Sequence, residues 1–179
     1  MVAKELLGRI LERRLGTAIL QGIIVETEAY RGTDDPASHA YRGLTPRNRV
    51  MFGPPGHAYV YFTYGMHHCL NVTTEPTGEP GAVLIRAIQP TVGIARMQKE
   101  RRRQRIKDLT NGPAKLTEAF SITRALNGHD LTAGERLFVT ETHDPQPLDI
   151  ESSSRIGVRL GLERDWRFFV KGNLFVSRQ

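Results

Sequence analysis

The sequence predicts an α+β fold with a largely antiparallel sheet. Two observations carry that reading: short β-branched and aromatic runs dominate the chain, and the helical stretches sit between them. A third sets the scale. A chain of 179 residues with no repeat, low-complexity tract or visible boundary fits one compact domain, 1–179.

The elements follow in order. Residues 3–11 read as a short amphipathic helix that Gly8 ends early. Residues 17–30 read as β structure through Ile19, Ile23, Ile24 and Val25. Residues 31–56, rich in Gly, Pro and Asp, form a long loop of the kind that is usually functional or mobile. Tyr59-Val60-Tyr61-Phe62-Thr63-Tyr64 and residues 67–73 form a hairpin with its tip at Tyr64-Gly65-Met66. A strand over 82–88 stops at Gln89-Pro90, and a basic helix covers 92–107. Asn111-Gly112-Pro113 opens another helix, because proline suits a first helical turn. Short strands are expected at 136–141, 155–160 and 167–171.

Composition narrows the function. There are 25 Lys+Arg against 19 Asp+Glu, a net charge of +6, which leans toward a polyanionic partner. An apolar content of 39% is that of a globular protein rather than a disordered one. No apolar run reaches the roughly 18 residues of a membrane helix, and the N-terminus lacks a signal-peptide core. The single cysteine, Cys69, excludes an internal disulfide and a Cys-based zinc site, so the expected setting is reducing and cytoplasmic. His67 and His68 are adjacent and point to opposite strand faces, which argues against a metal site. No phosphate-binding Gly-rich loop or nucleophile elbow is present.

Several residues stand out chemically. Period-two alternation puts Glu26, Glu28 and Tyr30 on one strand face, either a solvated face or a pocket floor with a general base. Arg86 is a lone charge inside Val83-Leu84-Ile85-Arg86-Ala87-Ile88, and a strand-central arginine of this kind pairs with a carboxylate. Tyr59 and Tyr61 share a face. Tyr64, beside Gly65 at the tip, reads as a wedge for insertion between stacked bases. Arg47 and Arg49 form a basic spot in the long loop, 99–107 form another, and Lys115 sits in a first helical turn suited to phosphate.

Read together, these pieces match a known family. Val25-Glu26-Thr27-Glu28-Ala29-Tyr30, Ala37-Ser38-His39, Thr45-Pro46-Arg47-Asn48-Arg49 and Met51-Phe52 resemble the 3-methyladenine (alkyladenine) DNA glycosylases. The resemblance continues through Tyr59-Val60-Tyr61, Tyr64-Gly65-Met66, Asn71, Leu84-Ile85-Arg86, Gly112-Pro113-Ala114-Lys115-Leu116, Arg167-Phe168-Phe169-Val170 and Val176-Ser177, in order and over nearly the whole chain. It implies a curved sheet with flanking helices and a protruding hairpin. It also implies a monofunctional enzyme of base-excision repair that acts on double-stranded DNA in the cytoplasm, at the nucleoid. Such an enzyme flips alkylated or deaminated purines (3-methyladenine, 7-methylguanine, hypoxanthine, ethenoadenine) out of the duplex and hydrolyses the N-glycosidic bond.

By the same resemblance, Glu28 orients and deprotonates the attacking water, and Arg86 and the main chain of Val176 help hold it. Tyr30, His39 and Tyr61 line the base pocket, with the Ala37 carbonyl nearby, and Asn71 reads the purine edge. Tyr64 fills the gap left by the base, with Met66, Arg47, Arg49 and Lys115 on the DNA. No cofactor, metal, membrane or obligate protein partner is implied. Two other readings of the residues are a noncatalytic nucleic-acid-binding protein of the same fold and a hydrolase of free nucleosides.

Overall fold

The computed structural model describes residues 1–63, 65–142 and 145–177. At the N-terminus the helix is shorter than the sequence predicts: α1 is Val2–Glu5. Gly8, at φ +83°, turns the chain and donates its N–H to the Ile24 carbonyl at 2.9 Å. The chain then continues as a strand, β1 (Ile10–Leu15), antiparallel to β2 (Ala18–Arg31). Its six residues are too few for the alternation to stand out beside the helical reading of 3–11.

The predicted hairpin is present as β3 (Ala58–Thr63) and β4 (His67–Thr73). Tyr64 lies outside the described residues. The next strand, β5 (Gly81–Val92), runs past the predicted stop at Pro90. Proline is tolerated there because that edge of the strand is free of a ladder partner. Ile88, on the same side, sends its N–H out to the Thr110 carbonyl, and β4 pairs only with Ala82, Val83 and Leu84.

The basic helix α2 (Ile94–Arg101) is also shorter than predicted, ending where Arg102 enters the left-handed region at φ 50°. Like charges at helical spacing, such as Arg101 and Arg105, disfavour continuation. The helix opened by Pro113 is α3 (Pro113–Ala119). Two of the late strands appear as β6 (Leu137–Thr140) and β8 (Arg167–Val170), with the unpredicted β7 (Ile150–Ser153) between them. Residues 155–160 are not a strand. Gly157 turns at φ +80°, and the Ile156 N–H bonds to a side chain instead of a neighbouring strand.

All pairings are antiparallel, and the sheet curls in the order β3-β4-β5-β2-β1-β6. β2 is its spine. β5 lies along one edge, while β1 and then β8 share the other. One face of the sheet packs on the helices, through residues such as Leu70, Val83 and Ile85 against Met97, Leu116 and Phe120.

Two coupled bulges decide what the other face carries. Ile24 pairs with Ile88 and Glu26 with Ala87, so Val25 is an extra residue in β2; Thr27 pairs with Ile85, so Arg86 is an extra residue in β5. A bulge reverses the side-chain parity of its strand. Upstream, Leu20 and Ile24 face the helices; downstream, Thr27 does, its Oγ1 donating to the Ala3 carbonyl at 2.7 Å. The reversal places Glu26, Glu28 and Tyr30 on the opposite face, where Arg86 meets them.

The passage from β5 into α2 depends on Gly93. It lies at φ +80°, and a Cβ there would stand 2.6 Å from the Ile19 carbonyl oxygen. Strain and backbone contact together make Gly93→Ala destabilising by about 2 kcal/mol. A urea-unfolding midpoint equal to that of the parent would contradict this account.

Candidate active site

A single row of paired residues crosses five strands. Tyr59 faces Asn71, Asn71 faces Leu84, Leu84 faces Glu28 and Glu28 faces Arg167. Alternation along each strand puts Tyr59, Tyr61, Cys69, Asn71, Leu84, Arg86 and Tyr30 on the wall of one pocket of about 360 Å³. The loop of residues 31–56 supplies Ala37 and His39 to the same pocket, and the 157–160 segment closes another side.

Beneath this pocket lie two fully buried carboxylates whose environments differ. Glu26 accepts from Arg86 Nε (3.0 Å), Arg167 Nε (2.7 Å) and Ser177 Oγ (2.9 Å) on one oxygen. Its other oxygen accepts the Ser177 N–H at 2.6 Å. A carboxylate offers about two acceptor positions on each oxygen, so three donors crowd one Glu26 oxygen; of its donor residues Arg86 lines the pocket, whereas Arg167 and Ser177 do not. Glu28 accepts from Tyr30 Oη (2.8 Å), Arg86 Nη1 (3.2 Å) and the Ile156 N–H (2.7 Å). One acceptor position therefore remains uncommitted among the described residues, and two of the neighbours, Tyr30 and Arg86, line the pocket.

Arg86 is 7% exposed. Burial works against its charge, but Glu28 and Glu26 outweigh that and hold its pKa above the ordinary arginine value. Burial, with Glu28 beside it, pushes the Tyr30 hydroxyl up as well, so Tyr30 is a neutral donor. Burial also raises the Tyr61 hydroxyl and the Cys69 thiol, which face each other across β3 and β4.

The aromatic wall is built from the hairpin and the loop. The His39 ring is 4.5 Å from Tyr61 and 6.0 Å from Tyr59, both edge-on, and His39 Nδ1 lies 2.9 Å from Tyr59 Oη. Asn48, 1% exposed, staples this loop: its amide donates to the His39 and Gly43 carbonyls at 2.9 Å and accepts from the Thr45 N–H at 2.7 Å. Asn71 is buried and donates to the Tyr59 carbonyl at 3.1 Å. Flat ring faces and a few fixed polar atoms suit a planar, hydrogen-bonding ligand.

The structure thus gathers Glu28, Arg86, Tyr30, Ala37, His39, Tyr61 and Asn71 at one place. Val176 is buried beside them against Val25 and Ala87, and the adjacent Ser177 makes the contact to Glu26. The surface residues are dispersed around this centre. Arg47 and Arg49 are exposed, with Arg47 5.4 Å from the Tyr61 ring centroid. Met66 is 69% exposed between β3 and β4. Lys115 is half-buried and bonds to Asn111 Oδ1 at 2.7 Å. Among the described residues no group of three or more His, Cys, Asp or Glu side chains could hold a metal ion.

Sequence reasoning passed over Asp35, Arg155 and Arg167, three fully or nearly buried charges. Asp35 and Arg155 are 120 positions apart, and no local pattern signals such a pair.

The chain is similar to known proteins over its whole length. A family model described as methylpurine-DNA glycosylase matches residues 1–174. A relative from Carboxydothermus hydrogenoformans is 50% identical over 179 residues, which cover 100% of this chain and 93% of the relative. One from Burkholderia lata is 49% identical over 98% of this chain and 84% of its own. One from Chlorobium phaeobacteroides is 48% identical over 99% of this chain and 89% of its own. All three bear the provisional name 3-methyladenine DNA glycosylase.

The setting of His39 makes its charge state testable. Burial of the ring, together with the nearby Arg47, lowers its pKa to about 4, so the imidazole is neutral at physiological pH. The unfolded chain, near 6.5, takes up this proton first. The contribution to stability is therefore present above that value and is lost as pH falls through about 4. An NMR titration of the His39 ring should give a midpoint near 4; a midpoint near 6.5 would remove the desolvated setting.

Proposed function

The chain belongs to the methylpurine-DNA glycosylase family, and from that premise we propose that it excises alkylated and deaminated purines, 3-methyladenine, 7-methylguanine, hypoxanthine and ethenoadenine among them, from duplex DNA with Glu28 as the general base. The observation that carries the reading is the inequality of the two buried carboxylates. Among the described residues Glu26 carries four donors, of which those from Arg167 and Ser177 lie off the pocket, whereas Glu28 carries three and adjoins the pocket through two of them, Tyr30 and Arg86.

In this mechanism the damaged nucleotide leaves the stack, as chemistry on a base requires. Its ring enters the slot formed by Tyr30, His39 and Tyr61, and Asn71 reads its edge. A water at the open position of Glu28 is held by Arg86 and the Val176 main chain. Glu28 takes a proton from the water as its oxygen bonds to the anomeric carbon and the bond to the purine nitrogen breaks. The electron pair leaves with the base, the sugar passes through an oxocarbenium-like state, and an abasic site remains. Water being the nucleophile, no covalent enzyme–DNA intermediate forms and no strand is cut. The reading needs no cofactor. Tyr64 would fill the gap in the duplex, with Met66 beside it and Arg47, Arg49 and Lys115 on phosphates.

Glu28→Gln tests the assignment. Glu26 still pairs with Arg86 in this variant, so the fold is expected to survive. Release of methylpurine from methylated duplex should fall by about a thousandfold, with duplex affinity nearly unchanged. Equal loss of both would make Glu28 structural. For the surface, Arg49→Ala should reduce the slope of log affinity against log salt by about one. An unchanged slope would take Arg49 off the phosphate backbone.

A further inference from the structure

We propose that Arg155, clamped on Asp35, is a positioning residue that sets the orientation of Glu28 through the Ile156 N–H. The inference rests on the reading of Glu28 as the general base. Among the described residues Glu28 has three donors, and of these only Ile156 comes from outside the strands that carry the bulges. That N–H belongs to a segment with no ladder of its own. The segment leaves β7 at Ser154, contributes Gly157, Val158, Arg159 and Leu160 to the pocket wall, and rejoins the sheet at β8.

Arg155 is what fastens it. The side chain is 3% exposed and forks onto both oxygens of Asp35, which is 0% exposed; the Nη2–Oδ1 distance is 2.7 Å. The same guanidinium donates to the Ala29 carbonyl of β2 at 3.0 Å and to the Gly161 carbonyl at 3.3 Å. Its carbon stands 4.8 Å from the Tyr30 ring centroid and 5.3 Å from that of Trp166. Asp35 in turn accepts the N–H groups of Arg31 and Ala37, at 3.2 and 3.1 Å. One buried ion pair therefore joins β2, the start of the His39 loop and the 155–161 segment.

The join lies one peptide from Ile156 and touches Tyr30, so it governs two of the three donors on Glu28. A carboxylate held by three donors from fixed directions presents its remaining lone pair in one direction. Misplacing such a group by about 1 Å costs up to about a hundredfold in rate. The conformation at Gly161 is adapted to the clamp: at φ +67°, a Cβ there would stand 2.7 Å from Arg155 Nη2.

Arg155→Lys keeps a cation for Asp35 but cannot fork onto it while also reaching both carbonyls. Single-turnover release from methylated duplex, normalised to folded protein, should fall about tenfold or more. The enzyme concentration giving half-maximal rate should stay within about twofold of the parent, because the clamp acts on the water-activating group and not on DNA affinity. Gly161→Ala, which leaves every charge in place, should shift the rate the same way by about threefold, and it carries the test if Arg155→Lys melts below the assay temperature. Rates within about twofold of the parent in the folded variants overturn the proposal. So does a half-saturation that rises in step with the loss of rate, which would make the segment merely a binding wall. Glu28→Gln, measured alongside, separates the two claims. Parental activity in that variant removes the premise itself, whereas an inactive Glu28→Gln beside a fully active Arg155→Lys removes only the clamp.

Discussion

Arg86 is the interaction on which the rest of the site depends. It bridges Glu26 and Glu28 in a region almost without solvent, where isolated charges would cost several kcal/mol each. The bridge forms because Arg86 is itself the extra residue of one bulge and faces the bulge at Val25 in the neighbouring strand. Without that paired reversal, Glu26 and Glu28 would point into the apolar layer against the helices, where nothing could neutralise them. Sheet geometry and charge pairing are thus a single device. The bulges present the carboxylates, and the guanidinium between them makes the presentation tolerable.

A site built this way makes its two carboxylates unequal. Glu26 sits at the junction with β8 and the C-terminal segment, where Arg167 and Ser177 complete its shell. Glu28 sits two residues further along the strand, nearer the pocket wall, where its donors leave a position free. Glu26 contributes by anchoring Arg86, so that Arg86 can present a second N–H to Glu28 without losing its own position. The division of labour follows from where each side chain lies along β2, not from residue type.

Part of this was legible in the sequence. Alternation alone put Glu26, Glu28 and Tyr30 together and Tyr59 with Tyr61, and the apolar company of Arg86 marked it as a paired strand charge. The shared face of the two glutamates was read correctly because both lie beyond the bulge. Extended back to Ile24, the same alternation fails, since a bulge leaves no mark on local composition. Residues 155–160 misread for a related reason: Ile156, Val158 and Leu160 alternate like a strand, yet the backbone there turns so that one N–H meets Glu28 and one side chain meets Asp35. Both partners are more than a hundred positions away, and local pattern carries no information at that range. Which glutamate adjoins the pocket through its donors was likewise invisible, because the answer lies in the groups gathered around each. The family resemblance singled out Glu28 without reference to the donors around either glutamate.

The buried charges also explain how a basic protein keeps a nearly neutral interior. Among the described residues, four carboxylates are buried, Glu12, Glu26, Glu28 and Asp35, against three guanidiniums, Arg86, Arg155 and Arg167. Burial therefore takes none of the positive excess away from the surface. The excess remains where it acts over distance, on groups such as Arg47 and Arg49, and there it favours a polyanion whatever its sequence. Inside the pocket the opposite holds. His39 is neutral, the tyrosines are protonated and Arg86 is already paired, so among the described residues the exposed Arg159 is the one unpaired cation of the lining, and the rest of the wall offers ring shape and directed hydrogen bonds. Separating long-range attraction at the surface from short-range discrimination inside lets each be strong without weakening the other. Carboxylates at the pocket floor without their arginines would repel the polyanion that a basic surface favours.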